Sequence, residues 1–254
     1  MSGLLRLSTE HGVVMLISTE SARSNSADTR LACTLAAAAG ALNTAAFEIV
    51  GFFSANMTGN VSLLSDHLAK ANLGPGLFFL SIVLLFIAGA MFSTLIINAG
   101  HRRNIRTIYA FVILIEGIAL MTLGVIENHF PPRSPGVVLI MSLSFLMGLQ
   151  NAVVTRISNA RVRTTHISGT ATDIGIELAM LFEVLRRKAS PKDAPSLLGR
   201  LRLHSLTLLS FLAGGVAGIG LYRLLGYDFL LPIGFGLICL ALNALVTKPV
   251  NQRV

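Results

Sequence analysis

Charge is scarce in this sequence. Only 13% of the 254 residues are Asp, Glu, Lys or Arg, about half the share typical of soluble domains. Such a chain cannot cover a water-facing surface. Cysteine is nearly missing, and Cys33 and Cys239 both fall in apolar stretches, where a thiol behaves as a small hydrophobe. Neither a disulfide framework nor a zinc spacing exists. A Gly-Lys-Ser phosphate loop, a His-Glu-x-x-His pair and a Ser-centred hydrolase elbow are all absent. The chain is therefore expected to be no enzyme and no ATP-driven pump, with no cofactor and no metal. A signal-peptide core is missing as well, since the apolar stretch Gly12 to Ile17 is short and flanked by Glu10 and Glu20. Residues 1–30 are expected to form a disordered cytoplasmic tail.

What the sequence has is long apolar runs, each near the roughly 20 residues that a membrane span needs. There are six: Leu31 to Phe53, Leu77 to Asn98, Ile108 to Ile126, Pro135 to Thr155, Ser205 to Leu221 and Phe229 to Val246. Lipid offers no hydrogen-bond partner to the backbone, so the runs are expected to be helices, and the short alternating segments of a barrel are absent. The expected class is an all-α integral membrane bundle of about six transmembrane helices.

The basic residues are unevenly placed. With a cytoplasmic amino terminus, seventeen of the twenty Lys and Arg lie on the cytoplasmic side and only Lys70, Arg133 and Arg223 on the other, as the positive-inside rule requires. Both termini are then cytoplasmic, including residues 248–254. The basic excess has this topogenic explanation, and nucleic acid is not an expected partner.

Three landmarks recur in the same order in the two halves, which points to a duplication. Gly-x-x-Asn occurs at Gly40 to Asn43 and Gly148 to Asn151. A hydroxyl-Gly-capping triplet occurs at Thr58-Gly59-Asn60 and Ser168-Gly169-Thr170. Phe-x-Ala-Gly occurs at Phe86 to Gly89 and Phe211 to Gly214. Residues 31–126 and 135–247 are expected to be two three-span repeats, and an odd number of spans inverts the second relative to the first. The polar segments after the triplets, Asn60 to Leu73 and Thr170 to Leu185, are expected to be broken, half-membrane or interfacial helices. Counted as full spans they would divide the positive charge 13 to 7, which erases the asymmetry. Residues 186–204 are expected to form a basic cytoplasmic linker.

At these motifs the chain resembles the YoaK-like family of bacterial multi-pass membrane proteins, over roughly residues 31 to 247. The family's Gly-x-x-(Asp/Asn)-Ala followed by Ser-x-Met-Thr-Gly-Asn is similar to Gly40 to Ala45 and Ser54 to Asn60 here. Its second signature is similar to Gly148-Leu-Gln-Asn151-Ala152 with Arg163 to Asp173. Asn43 stands where the family commonly has Asp, and one extra residue precedes Ala45 and Asn56, so a proton-binding role is not carried over to Asn43. The resemblance implies a six-span protein of the bacterial plasma membrane, with no assigned function.

The candidate solute-binding residues lie in the paired motifs: Asn43, Asn56, Thr58, Gly59 and Asn60 in the first half, and Asn151, Arg163, Thr164, His166, Ser168, Gly169 and Thr170 in the second. Helix amino termini attract anions through free amides and the macrodipole. Against this, Thr170 with Asp173 fits a capping box, and Arg163 and His166 fit topogenic charge. Glu48 and Glu116 are carboxylates inside apolar runs, where ionisation costs several kcal/mol unless paired or hydrated. For Glu116 either protonation or an Arg or His partner is expected. Together these features favour a small-solute secondary transporter or channel-like permease, with a small anion or zwitterion as the first guess for the solute. A membrane scaffold or sensor is the alternative. Expected partners are the lipid bilayer, a small solute and, as an open option, a second copy of the chain.

Overall fold

The structure is a computed structural model that describes residue 16 and residues 25–129, 136–188 and 190–246. Most of the expected amino-terminal tail, Arg133 and the carboxyl-terminal segment 248–254 lie outside them. The regular structure among the described residues is helical. In chain order they form α1 (Asn25–Val50), α2 (Met57–Ala69), α3 (Leu73–Arg102), α4 (Ile108–His129), α5 (Val137–Ile157), α6 (Ile167–Leu185), α7 (Ala194–Leu225) and α8 (Leu230–Val246), with 3-10 turns at Pro191–Asp193 and Gly226–Phe229.

Five segments are long and apolar enough to cross a membrane: Asp28–Val50, Leu73–Arg102, Ile108–His129, Val137–Ile157 and Pro191–Val246. The protein is thus a multi-pass helical membrane protein. The fifth and sixth apolar runs fall within one continuous helical stretch, broken only by the 3-10 turn between α7 and α8.

Lipid as solvent explains the surface. On α3 the exposed residues Leu77, Leu80, Leu84, Ile87, Met91 and Leu95 recur at helical spacing and form one apolar stripe, far more than a soluble surface carries. The interior is held by small residues. α1 packs along α7, α3 along α5 and α4 along α8, while α2 lies on α3 and α6 on α7. At the first crossing Gly40 abuts the Phe211 carbonyl and Gly214 the Ala37 carbonyl. At the second, Gly148 abuts the Phe86 carbonyl and Gly89 the Phe145 carbonyl. Gly117 and Gly234 abut each other's carbonyls where α4 meets α8. Only glycine lets backbones approach this closely, and in lipid such dispersion contacts are the main attraction between helices.

Three boundaries differ from the sequence expectation. α1 begins at Asn25, six residues before the first apolar run, because Asp28 is buried and its Oδ2 lies 2.6 Å from Arg161 Nη2. Residues 194–204, within the expected linker, are helical and form the first turns of α7, with Leu197 buried. Their polar side chains find a partner on α6, where buried Glu177 accepts a bond of 3.0 Å with His204 Nδ1 and has Arg200 at 3.9 Å. The two short helices also start earlier than expected, at Met57 and Ile167 rather than Asn60 and Thr170.

Candidate functional site

Both short helices begin beside the middle of a long one. Asn43 lies seven residues before the end of α1, about 10 Å down the helix at 1.5 Å per residue. After Val50 the chain turns back, and the Ala55 amide donates to Asn43 Oδ1 at 2.8 Å. The link sets the start of α2 at the level of Asn43 rather than at the end of α1. The second half repeats the device. Asn151 lies six residues before the end of α5, and the Thr165 hydroxyl donates to its Oδ1 at 2.8 Å. Ala55 and Thr165 each immediately precede the N-cap of the following helix, Asn56 for α2 and His166 for α6. The Gly-x-x-Asn landmarks therefore join each long helix to the turn that precedes the short helix after it.

The two turns meet in one cavity of about 500 Å³. Of the residues singled out in the sequence, Asn43, Asn56, Thr58, Asn151, Arg163, His166 and Ser168 line it. The sequence reading missed Ala55, Thr155, Thr165 and Ile167, together with the apolar walls Phe53, Met57, Phe86 and Phe211. Phe86 and Phe211 open the Phe-x-Ala-Gly landmarks, so a signal for them existed. A second cavity of about 390 Å³ shares Arg163 and His166 with the first, and is lined also by Gly169, Thr170, Asp173, His204 and Thr207.

The remaining candidates stand outside the first cavity. The Gly59 amide donates to Asn56 Oδ1 at 3.1 Å, which caps α2. Asn60 is buried, with Nδ2 donating to the Phe53 carbonyl at 3.0 Å. Thr164 is buried in the turn before α6 with its hydroxyl unpartnered. The Thr170–Asp173 capping box does not form. Thr170 already lies inside the first turn, so its hydroxyl donates to the His166 carbonyl at 3.1 Å, and no side chain caps α6.

Neither carboxylate lines either cavity. Glu48, near the end of α1, accepts from Arg223 Nε at 3.1 Å and Nη2 at 2.8 Å. Glu116 is fully buried on α4, and neither oxygen has a hydrogen-bond partner among the described residues. The Arg or His partner considered for it is therefore not found there. No group of three or more His, Cys, Asp or Glu that could hold a metal occurs among the described residues.

The arrangement brings two helix amino termini to one cavity lined by hydroxyl, amide and guanidinium groups. Residues 31–243 match a family described as "Protein of unknown function (DUF1275)". No curated protein and no solved structure matches the chain.

Proposed function

This chain belongs to the DUF1275 family, and since that family carries no assigned activity, we propose from the site itself that it is a permease for a small polar solute. The observation that carries the reading is that the N-caps Asn56 and His166 of two re-entering helices line one cavity with Asn43 and Asn151. Polar, non-helical backbone at membrane depth is tolerated where protein or water satisfies it. Two breaks at a common cavity are the arrangement by which secondary transporters and channels hold a solute away from lipid.

In this reading α1, α3, α4, α5, α7 and α8 are six spans of a bacterial plasma membrane. α2 and α6 are half-membrane helices entering from opposite faces. The halves are inverted repeats, a view supported by the matched crossings of α1 with α7 and of α5 with α3. Seventeen of twenty basic residues then lie inside, with both termini cytoplasmic. Reporter fusions at Arg102, Ser190 and the carboxyl terminus should all report the cytoplasm, and an external signal at Ser190 would reverse the model. The function itself is tested with purified protein in proteoliposomes and a panel of small anions, zwitterions, cations and neutral solutes. At least one should equilibrate faster than in protein-free vesicles. If none does, the permease reading is lost.

A further inference from the structure

We propose that this cavity selects small anions, a refinement that rests on the permease reading. The argument is an inventory of the hydrogen-bonding groups around it. Each of its three amide side chains has its oxygen engaged: Asn43 Oδ1 by the Ala55 amide, Asn56 Oδ1 by the Gly59 amide and Asn151 Oδ1 by the Thr165 hydroxyl. A backbone N–H can meet only the oxygen end of a side-chain amide, so the orientations of Asn43 and Asn56 are determined by chemistry. Their NH2 groups are left as donors, and no acceptor engages them among the described residues. Asn43 is only 7% exposed as a residue and lines the cavity, so its unengaged NH2 is a donor at the cavity wall that an acceptor can reach.

Charge points the same way. Arg163 lines the cavity, whereas no Asp or Glu does. The first turn of α6 has no side-chain cap, leaving amide donors and the positive end of the helix dipole at the cavity. Phe53, Phe86 and Phe211 supply apolar walls, which lower the dielectric on their side of the cavity. A cation entering this space finds neutral acceptors, the lining hydroxyl, amide and backbone oxygens and the His166 ring, but no carboxylate. A zwitterion leaves its ammonium group without a carboxylate, and a desolvated, unpaired charge is costly. An anion satisfies the free donors at once. Asp173 lines only the second cavity, and Arg163 and His166 lie between it and the first.

The test uses the full chain in proteoliposomes with three probes of fixed charge near neutral pH: nitrate, glycine and tetramethylammonium, with potassium and valinomycin holding the potential. Nitrate should enter at least about tenfold faster than either of the others, the ratio that corresponds to about 1.4 kcal/mol of discrimination. Asn43→Asp keeps an oxygen for the Ala55 amide while replacing the free donor with an acceptor. It should abolish the preference for nitrate over tetramethylammonium. Arg163→Gln, at an exposed position, should reduce nitrate entry severalfold if Asn43→Asp does not fold. Glycine or tetramethylammonium entering as fast as nitrate overturns anion selection and leaves the permease reading standing. Unchanged selectivity in both folded variants also overturns it. Entry of none of the three, with a neutral solute passing, removes anion selection alone, while entry of no solute removes both proposals.

Discussion

The glycine crossings allow a quantitative test of the packing. At Gly148 an added Cβ would overlap the Phe86 carbonyl oxygen and lie 2.8 Å from its carbon and 3.0 Å from the Phe86 Cα. Favourable carbon contacts are about 3.5–4.0 Å, so α3 and α5 would have to separate by roughly 1 Å. The obstructing atoms are helix backbone and cannot rotate aside as a side-chain end can. Overpacking of this kind costs about 1–3 kcal/mol, against which alanine recovers up to about 1 kcal/mol of helix propensity. Gly220 is the control, since nothing lies within 4 Å of its added Cβ and Gly220→Ala gains the propensity alone. The two variants should differ by about 1–3 kcal/mol in unfolding free energy, the overpacking term with propensity cancelled. Gly40→Ala, which meets the Phe211 carbonyl in the same way, should behave like Gly148→Ala. Thermal or denaturant unfolding of purified protein in one detergent measures all three. Equal midpoints for Gly148→Ala and Gly220→Ala would refute the claim that direct backbone contact holds these helices.

Other perturbations read different parts of the fold. Asn43→Ala removes the acceptor for the Ala55 amide at a buried position, so unfolding in detergent should show a loss of about 1–3 kcal/mol; a loss below a few tenths would mean the turn is anchored elsewhere. Glu48 and Arg223 are paired at 2.8 Å but their side chains are 34% and 67% exposed, so a double-mutant cycle should give a coupling of about 0–1 kcal/mol. The Asp66 carboxyl is held below the ordinary aspartate value chiefly by its hydrogen bond from Lys70. Its small contribution to stability is therefore present above the unfolded-state pKa and lost as pH falls through the folded value. Acid titration should show Asp66→Asn missing that loss, and a larger acid dependence in the variant would reverse the assignment.

The apolar runs could be read directly because lipid imposes length and composition on each helix, whatever its neighbours. The paired landmarks could be read because their residues act locally: glycine for backbone approach, asparagine for the turn a dozen residues on. Helix starts were misplaced by three residues because Asn60 and Thr170 resemble caps, while Asn56 serves α2 and α6 has no side-chain cap at all. The helical state of the early turns of α7 was not legible because Arg200 and Arg202 interrupt the apolar pattern. What makes Leu197 to His204 helical is a partner helix, including buried Glu177. The pairing of Glu48 with Arg223 joins residues 175 positions apart, and no local pattern reports such a meeting.

In the proposed repeat, what the halves share is backbone contacts, whereas their side chains at the two helix starts differ. Glycine against carbonyl at Gly40 and Gly148, and an amide oxygen tied to the re-entering chain at Asn43 and Asn151, constrain the helix positions. Once these are kept, the residues at the two helix starts are free to differ without moving the helices. They have done so: the first half brings Asn56 and Thr58, which are neutral, and the second brings Arg163, His166 and Ser168. On the repeat proposed above, the solute therefore meets a neutral donor surface from one half and a cationic one from the other. Exchanging the N-caps, Asn56→His with His166→Asn, should then change unfolding by less than about 2 kcal/mol, since the cap lost from α2 is worth about 0.5–2 kcal/mol and an asparagine at the uncapped start of α6 can replace it. The same exchange should alter nitrate entry severalfold, because the imidazole moves away from Arg163. An exchange that unfolds the protein would show that the caps, and not only the glycine crossings and asparagine ties, maintain the common geometry.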